Sequence, residues 1–76
     1  MGTLSLNRQP VQSSNLRSVG YDPMTKTLEI EFHSGGIYQH SNVSEPIHSA
    51  LISTPSKGKY FGGYIKDRFS TRKIRE

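Results

Sequence analysis

Residues 26–33, Lys-Thr-Leu-Glu-Ile-Glu-Phe-His, restrict the fold more than any other stretch of this 76-residue chain. Leu28, Ile30 and Phe32 alternate with Thr27, Glu29, Glu31 and His33. A period of two sends successive side chains to opposite faces of a strand, so one face, the apolar one, is expected to be buried and the other wet. Such a strand needs partners at its edges and a cover on its apolar face. The flanking residues supply the partners. Upstream, "SSNLRSVGYD" reads as a short strand, or one bulged near Gly20, and Asp22-Pro23 ends it in a turn. Downstream, Ser34-Gly35-Gly36 turns the chain into "IYQHSNV", a third strand.

The pattern then becomes helical. Ser44 is a candidate cap, Pro46 is tolerated in a first turn, and Ile47, Ala50 and Leu51 form one apolar stripe. Pro55 ends that helix near Thr54. Ser56 is a candidate cap for a second helix, with Phe61, Tyr64, Ile65 and Arg68 or Phe69 on one face. Gly62-Gly63 costs this helix about 2 kcal/mol relative to alanine, at about 1 kcal/mol per glycine. Either close packing of its backbone or a break in the helix accounts for that. The expected architecture is α+β: a three-stranded antiparallel meander followed by two helices packed on one face. Residues 1–12 read as a loose arm, 13–69 as a single domain and 70–76 as a basic tail.

Composition narrows the function classes. The chain has no cysteine, which removes disulfides and thiolate metal sites. No apolar run approaches a membrane span, and neither a secretory signal nor a myristoylation pattern is legible, so a cytoplasmic protein without a membrane partner is expected. The net charge of +4 is unevenly placed. Residues 55–76 carry seven basic side chains against Asp67 and Glu76, whereas residues 1–54 carry three against four acids. Such asymmetry points to a polyanionic partner or to a solvated helix face and tail.

Several of these stretches, spaced between Val11 and Phe69, resemble the KTSC domain: Ser13-Ser14, Gly20-Tyr21-Asp22, the strand aromatic Tyr38, and Ser56-x-Gly58 leading into Tyr60-Phe61. That small domain is named for its occurrence at the C-terminus of some lysyl-tRNA synthetases and also occurs alone in bacterial and phage-type proteins. The resemblance implies a domain of unknown function, with RNA binding suggested by the company it keeps and no catalytic residues to carry over. This chain departs from the family pattern twice. Tyr38-Gln39-His40 stands where the family has Tyr-x-Tyr, and Gly62 follows Tyr60-Phe61 where the family usually has asparagine.

The candidate sites follow from charge and ring placement. In "PSKGK", Ser56, Lys57, Gly58 and Lys59 could seat a phosphate on the free N–H groups of a helix start, or Ser56 could be a plain cap beside two solvent lysines. Tyr38 and His40 share a strand face and could stack bases. Their exposure depends on the hairpin. A two-residue Ser34-Gly35 loop sets Tyr38 opposite Glu31 and exposes it. A bulged Ser34–Gly36 loop, the favoured register, sets Tyr38 opposite Phe32 and His40 near Ile30, both facing the core. His33, His40 and His48 lack the tight spacing of a zinc set. Ser13 or Ser14 with a histidine and Asp22 has the residue types of a hydrolase but no nucleophile elbow, and a serine pair before a strand more often closes a turn. The expectation is therefore a small non-catalytic module without a cofactor, binding RNA or another nucleic acid. Lys57, Lys59, Lys66, Arg68, Arg72 and Lys73 would neutralise phosphates, with Tyr60 or Tyr64 as stacking rings. The alternative is a protein-interaction module that docks on a larger enzyme or self-associates as a homodimer.

Overall fold

The computed structural model describes residues 7–75. The alternating stretch forms Thr27–Phe32 (β3), the middle strand of a five-stranded antiparallel sheet. Leu16–Asp22 (β2) pairs on one side of it and Ile37–His40 (β4) on the other. Gln9–Pro10 (β1) and Thr71–Arg75 (β5) complete the edges, and the spatial order follows the chain order. The meander therefore has five strands, not three. Residues 9–10 of the expected arm and most of the expected tail are strand, because backbone hydrogen bonding to a neighbour is all that an edge strand needs. The irregularity in β2 lies between Leu16 and Ser18, upstream of Gly20.

Before β2, the Ser13 hydroxyl accepts from the backbone N–H groups of Asn15 and Leu16, both at 3.2 Å. This is the turn-closing role expected of the serine pair. At the next corner the Asp22 carboxylate accepts from the Met24 N–H at 2.9 Å. The β3–β4 hairpin closes differently from either register drawn from the sequence. The Phe32 N–H donates to the Gly36 carbonyl, and the Gly35 N–H donates to the Phe32 carbonyl, each at 2.9 Å. The loop is thus His33-Ser34-Gly35. Gly35 takes φ 106°, a conformation glycine reaches without steric cost. Tyr38 pairs with Ile30 and His40 with Leu28. The phase matches the core-facing alternative, but each partner lies two residues earlier in β3.

One sheet face is covered by Glu45–Ser53 (α1) and by the segment that follows it. Ser44 occupies the cap position of α1 without a side-chain cap bond, and Pro46 lies in the first turn. Leu51 is fully buried against Leu16, Val19, Leu28, Ile30, Val43 and Ile65. Side chains of this kind each contribute roughly 1.5–3 kcal/mol when buried. Tyr21 fastens α1 to the sheet. Its hydroxyl donates to the Val43 carbonyl at 2.5 Å, and its ring stacks on His48 with centroids 4.5 Å apart.

The second helix is shorter than the sequence reading. Lys57–Tyr60 (α2) is one turn, and Phe61–Ile65 continues as a π-helical turn. The Lys66 N–H donates to the Phe61 carbonyl at 2.8 Å, the i→i+5 bond of that geometry. The wider turn sends Ile65 into the core, while the Tyr60 and Tyr64 rings lie 4.7 Å apart. Close packing does not explain the two glycines. A Cβ built at Gly62 or Gly63 meets nothing within 4 Å.

Candidate nucleic-acid interface

Two open grooves flank the π-turn. The first, about 720 Å³, lies over the helix-covered face of β3 and β4, between the start of β2 and Phe61. Its aromatic walls are Phe32, Tyr38, His40 and Phe61. The second, about 790 Å³, runs along the outer side of the turn between Ile47 and Phe69 and includes Tyr60, Tyr64 and Arg68. Gly62, Lys66 and Asp67 line both. Lys66 reaches this junction because the chain reverses there. The Arg68 N–H donates to the Ile65 carbonyl at 3.1 Å, Lys66 is extended at ψ 132°, and Asp67 takes φ 65°. These are the marks of a type II turn. Its two central residues are exposed.

The residues singled out from the sequence are partly brought together. Lys66 and Arg68 share the second groove with Tyr60 and Tyr64, and Tyr64 is 60% exposed. Tyr38, His40 and Gly58 share the first groove with Lys66. Lys73 pairs with Tyr38 across β4 and β5 and holds its ammonium 5.8 Å from the ring centroid, within cation–π range. Arg72 is the next residue on β5 and pairs with Gln39, so it belongs to the opposite face of the sheet. Lys59 is exposed on α2.

The "PSKGK" seat does not form as drawn. α2 is a single turn, Ser56 makes no side-chain cap bond, and the Lys57 ammonium donates to the Thr54 carbonyl at 2.8 Å. Gly58 faces the protein rather than an anion. A methyl at position 58 would come within 2.5 Å of the Asn15 side-chain amide. The glycine therefore serves the approach of α2 to the chain before β2. The three histidines lie apart in their contacts. His33 Nε2 is 2.9 Å from the Ser13 carbonyl oxygen, His48 stacks on Tyr21, and the His40 ring meets Phe61 edge-on at 5.4 Å.

His40 is the most unusual side chain of the site. It is 2% exposed, and its Nδ1 is buried without a hydrogen-bond partner. Burial pushes its pKa below the ordinary histidine value, while a hydrogen bond to the Leu28 backbone acts in the other direction. The ring is therefore neutral near pH 7. Asn15, Phe32 and Phe61 also line the groove, yet the sequence places them only in a strand stretch, on an apolar face or in the family motif. No local spacing joins them, since they come from three separated segments.

The other face of the sheet is not wet at its centre, where the alternation predicts water, because Glu29 is 0% exposed there and its charge is paired. The Arg8 guanidinium reaches the fully buried Glu29 and lies near Glu31, with its Nε donating to the Ser18 hydroxyl at 3.0 Å. That hydroxyl donates to Glu31 at 2.9 Å, and the Gln39 amide donates to Glu29 at 2.8 Å.

A five-stranded antiparallel meander, covered on one face by a helix and a π-turn that leave an aromatic groove, defines a small α+β domain of one sheet and one helical layer. The chain belongs to the KTSC domain family, whose model matches residues 12–69. Its fold is similar to the crystal structure of a KTSC domain protein from Yersinia pestis, with a TM-score of 0.88 and 47% identity over 92% of this chain and 99% of that one. An uncharacterised protein of Stutzerimonas stutzeri is 41% identical over 61 residues, which is 80% of this chain and 86% of that protein. A lysine–tRNA ligase of Nostoc sp. is 36% identical over 63 residues. That match takes in 83% of this chain but only 11% of the ligase.

Proposed function

We propose that the domain is a non-catalytic binding module for RNA, which holds a single strand by its phosphates along the side where the two grooves meet. The observation that carries this reading is the position of Lys66, exposed on a turn and shared by both aromatic grooves. Arg68 stands in the second groove, and Lys73 lies over Tyr38 beside the first. Cations beside exposed rings are the means by which single-strand binders hold backbone and bases. Asp67 reduces the local charge without reversing it, and Lys59, exposed on α2, lines neither groove. Arg72 and Lys57 fall outside this footprint. The occurrence of the same domain within lysine–tRNA ligases supports RNA over other polyanions.

The test is a salt titration of a short, labelled single-stranded RNA followed by fluorescence anisotropy. Three phosphates neutralised by Lys66, Arg68 and Lys73 give a log–log slope of about −2, or roughly a twentyfold loss between about 50 and 200 mM salt. Lys66→Ala then flattens the slope by about 0.7. No affinity at low salt, or affinity indifferent to salt, overturns the proposal. A nuclease-resistant complex with a larger enzyme, or a stable homodimer, in a chain without RNA affinity would replace it with the protein-docking reading.

A further inference from the structure

Three features of the first groove are left unexplained by the fold. The first is the buried Nδ1 of His40, which has no partner among the described residues. Buried polar atoms are nearly always hydrogen-bonded, so an exception calls for a reason. The second is ring geometry. Phe32 against Tyr38, Phe32 against Phe61 and His40 against Phe61 all meet edge-on, at 76°, 72° and 84°. An edge-on contact covers one face of only one ring of the pair, whereas the face-to-face pair of Tyr21 and His48 covers one face of both. The third is Gly62. It lies in a helical segment, where glycine is disfavoured, at a φ open to any residue, and an added Cβ meets nothing. The fold gains nothing from glycine there, but a side chain would stand at the junction of both grooves.

We propose that this groove receives one planar heteroaromatic ring, a nucleobase in the RNA reading on which the assignment rests, and that Gly62 keeps its mouth open. The groove volume of about 720 Å³ falls within the roughly 300–1,000 Å³ of small-ligand sites. The base stacks among Phe32, Tyr38 and Phe61, and its attached phosphate reaches Lys66 at the rim. A neutral imidazole offers one acceptor nitrogen. The exocyclic amino group of adenine or the ring N–H of uracil is a donor of the kind Nδ1 lacks, and the His40 ring must turn towards the groove to meet it, because Nδ1 is buried. Asn15 adds an amide that can donate and accept along the same wall.

The experiment is an NMR titration of the full chain with adenosine 5′-monophosphate, ribose 5-phosphate and inorganic phosphate, repeated on Gly62→Leu and Gly63→Leu, alongside RNA binding at low salt. Gly63 lines only the second groove and serves as the control. The nucleotide is expected to shift the His40 and Phe61 ring signals saturably, whereas the two phosphates without a base move Lys66 alone. Gly62→Leu is expected to melt no earlier than the parent yet to bind the nucleotide about tenfold more weakly, the low end of what one stacked base contributes. Gly63→Leu is expected to keep the parent's affinity. Identical shifts from the nucleotide and ribose 5-phosphate overturn the base pocket. If parent and Gly62→Leu bind RNA equally well, the groove assignment falls and the electrostatic reading stands. If neither binds RNA at low salt, that reading falls and takes the base assignment with it.

Discussion

The two faces of the sheet dispose of polar groups in opposite ways. On one, Glu29 is fully buried but meets Arg8 and Gln39, while Ser18 and Glu31 are joined to the same network. On the other, Leu28 and Ile30 are buried beneath α1 and the π-turn, yet His40 leaves a ring nitrogen unsatisfied beside an open groove. The polar face is a completed structure in which charge is matched by charge. The apolar face retains slack, and slack in a core this small is more readily explained by a guest than by stability.

Breaking the network should have the largest effect. Arg8→Ala leaves Glu29 buried with one partner fewer and is expected to cost about 3 kcal/mol, read from the urea midpoint. A loss below about 1 kcal/mol would place Arg8 outside the cooperative fold and remove the contrast.

On the slack face, His40→Phe removes an unpaired nitrogen together with the ring's hydrogen bond to the Leu28 backbone, opposed effects that are expected to leave a net change of about 1 kcal/mol at most. The same variant sharpens the comparison through pH. Because burial lowers the folded-state pKa of His40, the unfolded chain binds the proton more readily. The contribution of the neutral ring is complete above the ordinary histidine value of about 6.5 and is lost as pH falls through that value and then through the depressed folded one. His48, also lowered by burial, acts in the same sense. Thermal melts between pH 7 and 5 should therefore show acid destabilisation that His40→Phe reduces and His48 partly retains. An unchanged slope in the variant would mean that His40 is hydrated.

The smallest expected change is Gly63→Ala. It adds a methyl where nothing stands within 4 Å and should gain about 0.5–1 kcal/mol through helix propensity and a less flexible unfolded chain. A loss instead would show that the π-turn depends on glycine.

Sequence and structure agree where the constraint is local. The alternation of Leu28, Ile30 and Phe32 fixes β3 and its buried face, and the stripe ending in Leu51 fixes α1. The corners at Ser13 and Asp22 follow from side chains that bond their own backbone. Disagreement arises where long-range pairing decides. Gln9–Pro10 and Thr71–Arg75 have no apolar alternation and become strands through the neighbours they meet. In the hairpin, Gly35 takes the positive φ, so the loop starts one residue earlier than the bulged register placed it. An α-turn and a π-turn differ by one residue in the span of their hydrogen bonds, and the Gly62-Gly63 pair, read as either close packing or a helical break, is the sign of irregularity in the sequence. The candidate surface was legible as charge, but β5 divides Lys73 from Arg72, and a sum of charges cannot show on which face each lies.

Tyr21 gives the molecule an optical handle. The chain has four tyrosines and no tryptophan, so its near-ultraviolet absorption is dominated by phenol rings. The Tyr21 hydroxyl ionises above the ordinary range, first through desolvation and then through Glu45 and Asp22. Ionisation also removes the proton it donates to Val43. A phenolate fraction that titrates above the rest therefore reports the folded surroundings of Tyr21, without a dye or an added chromophore.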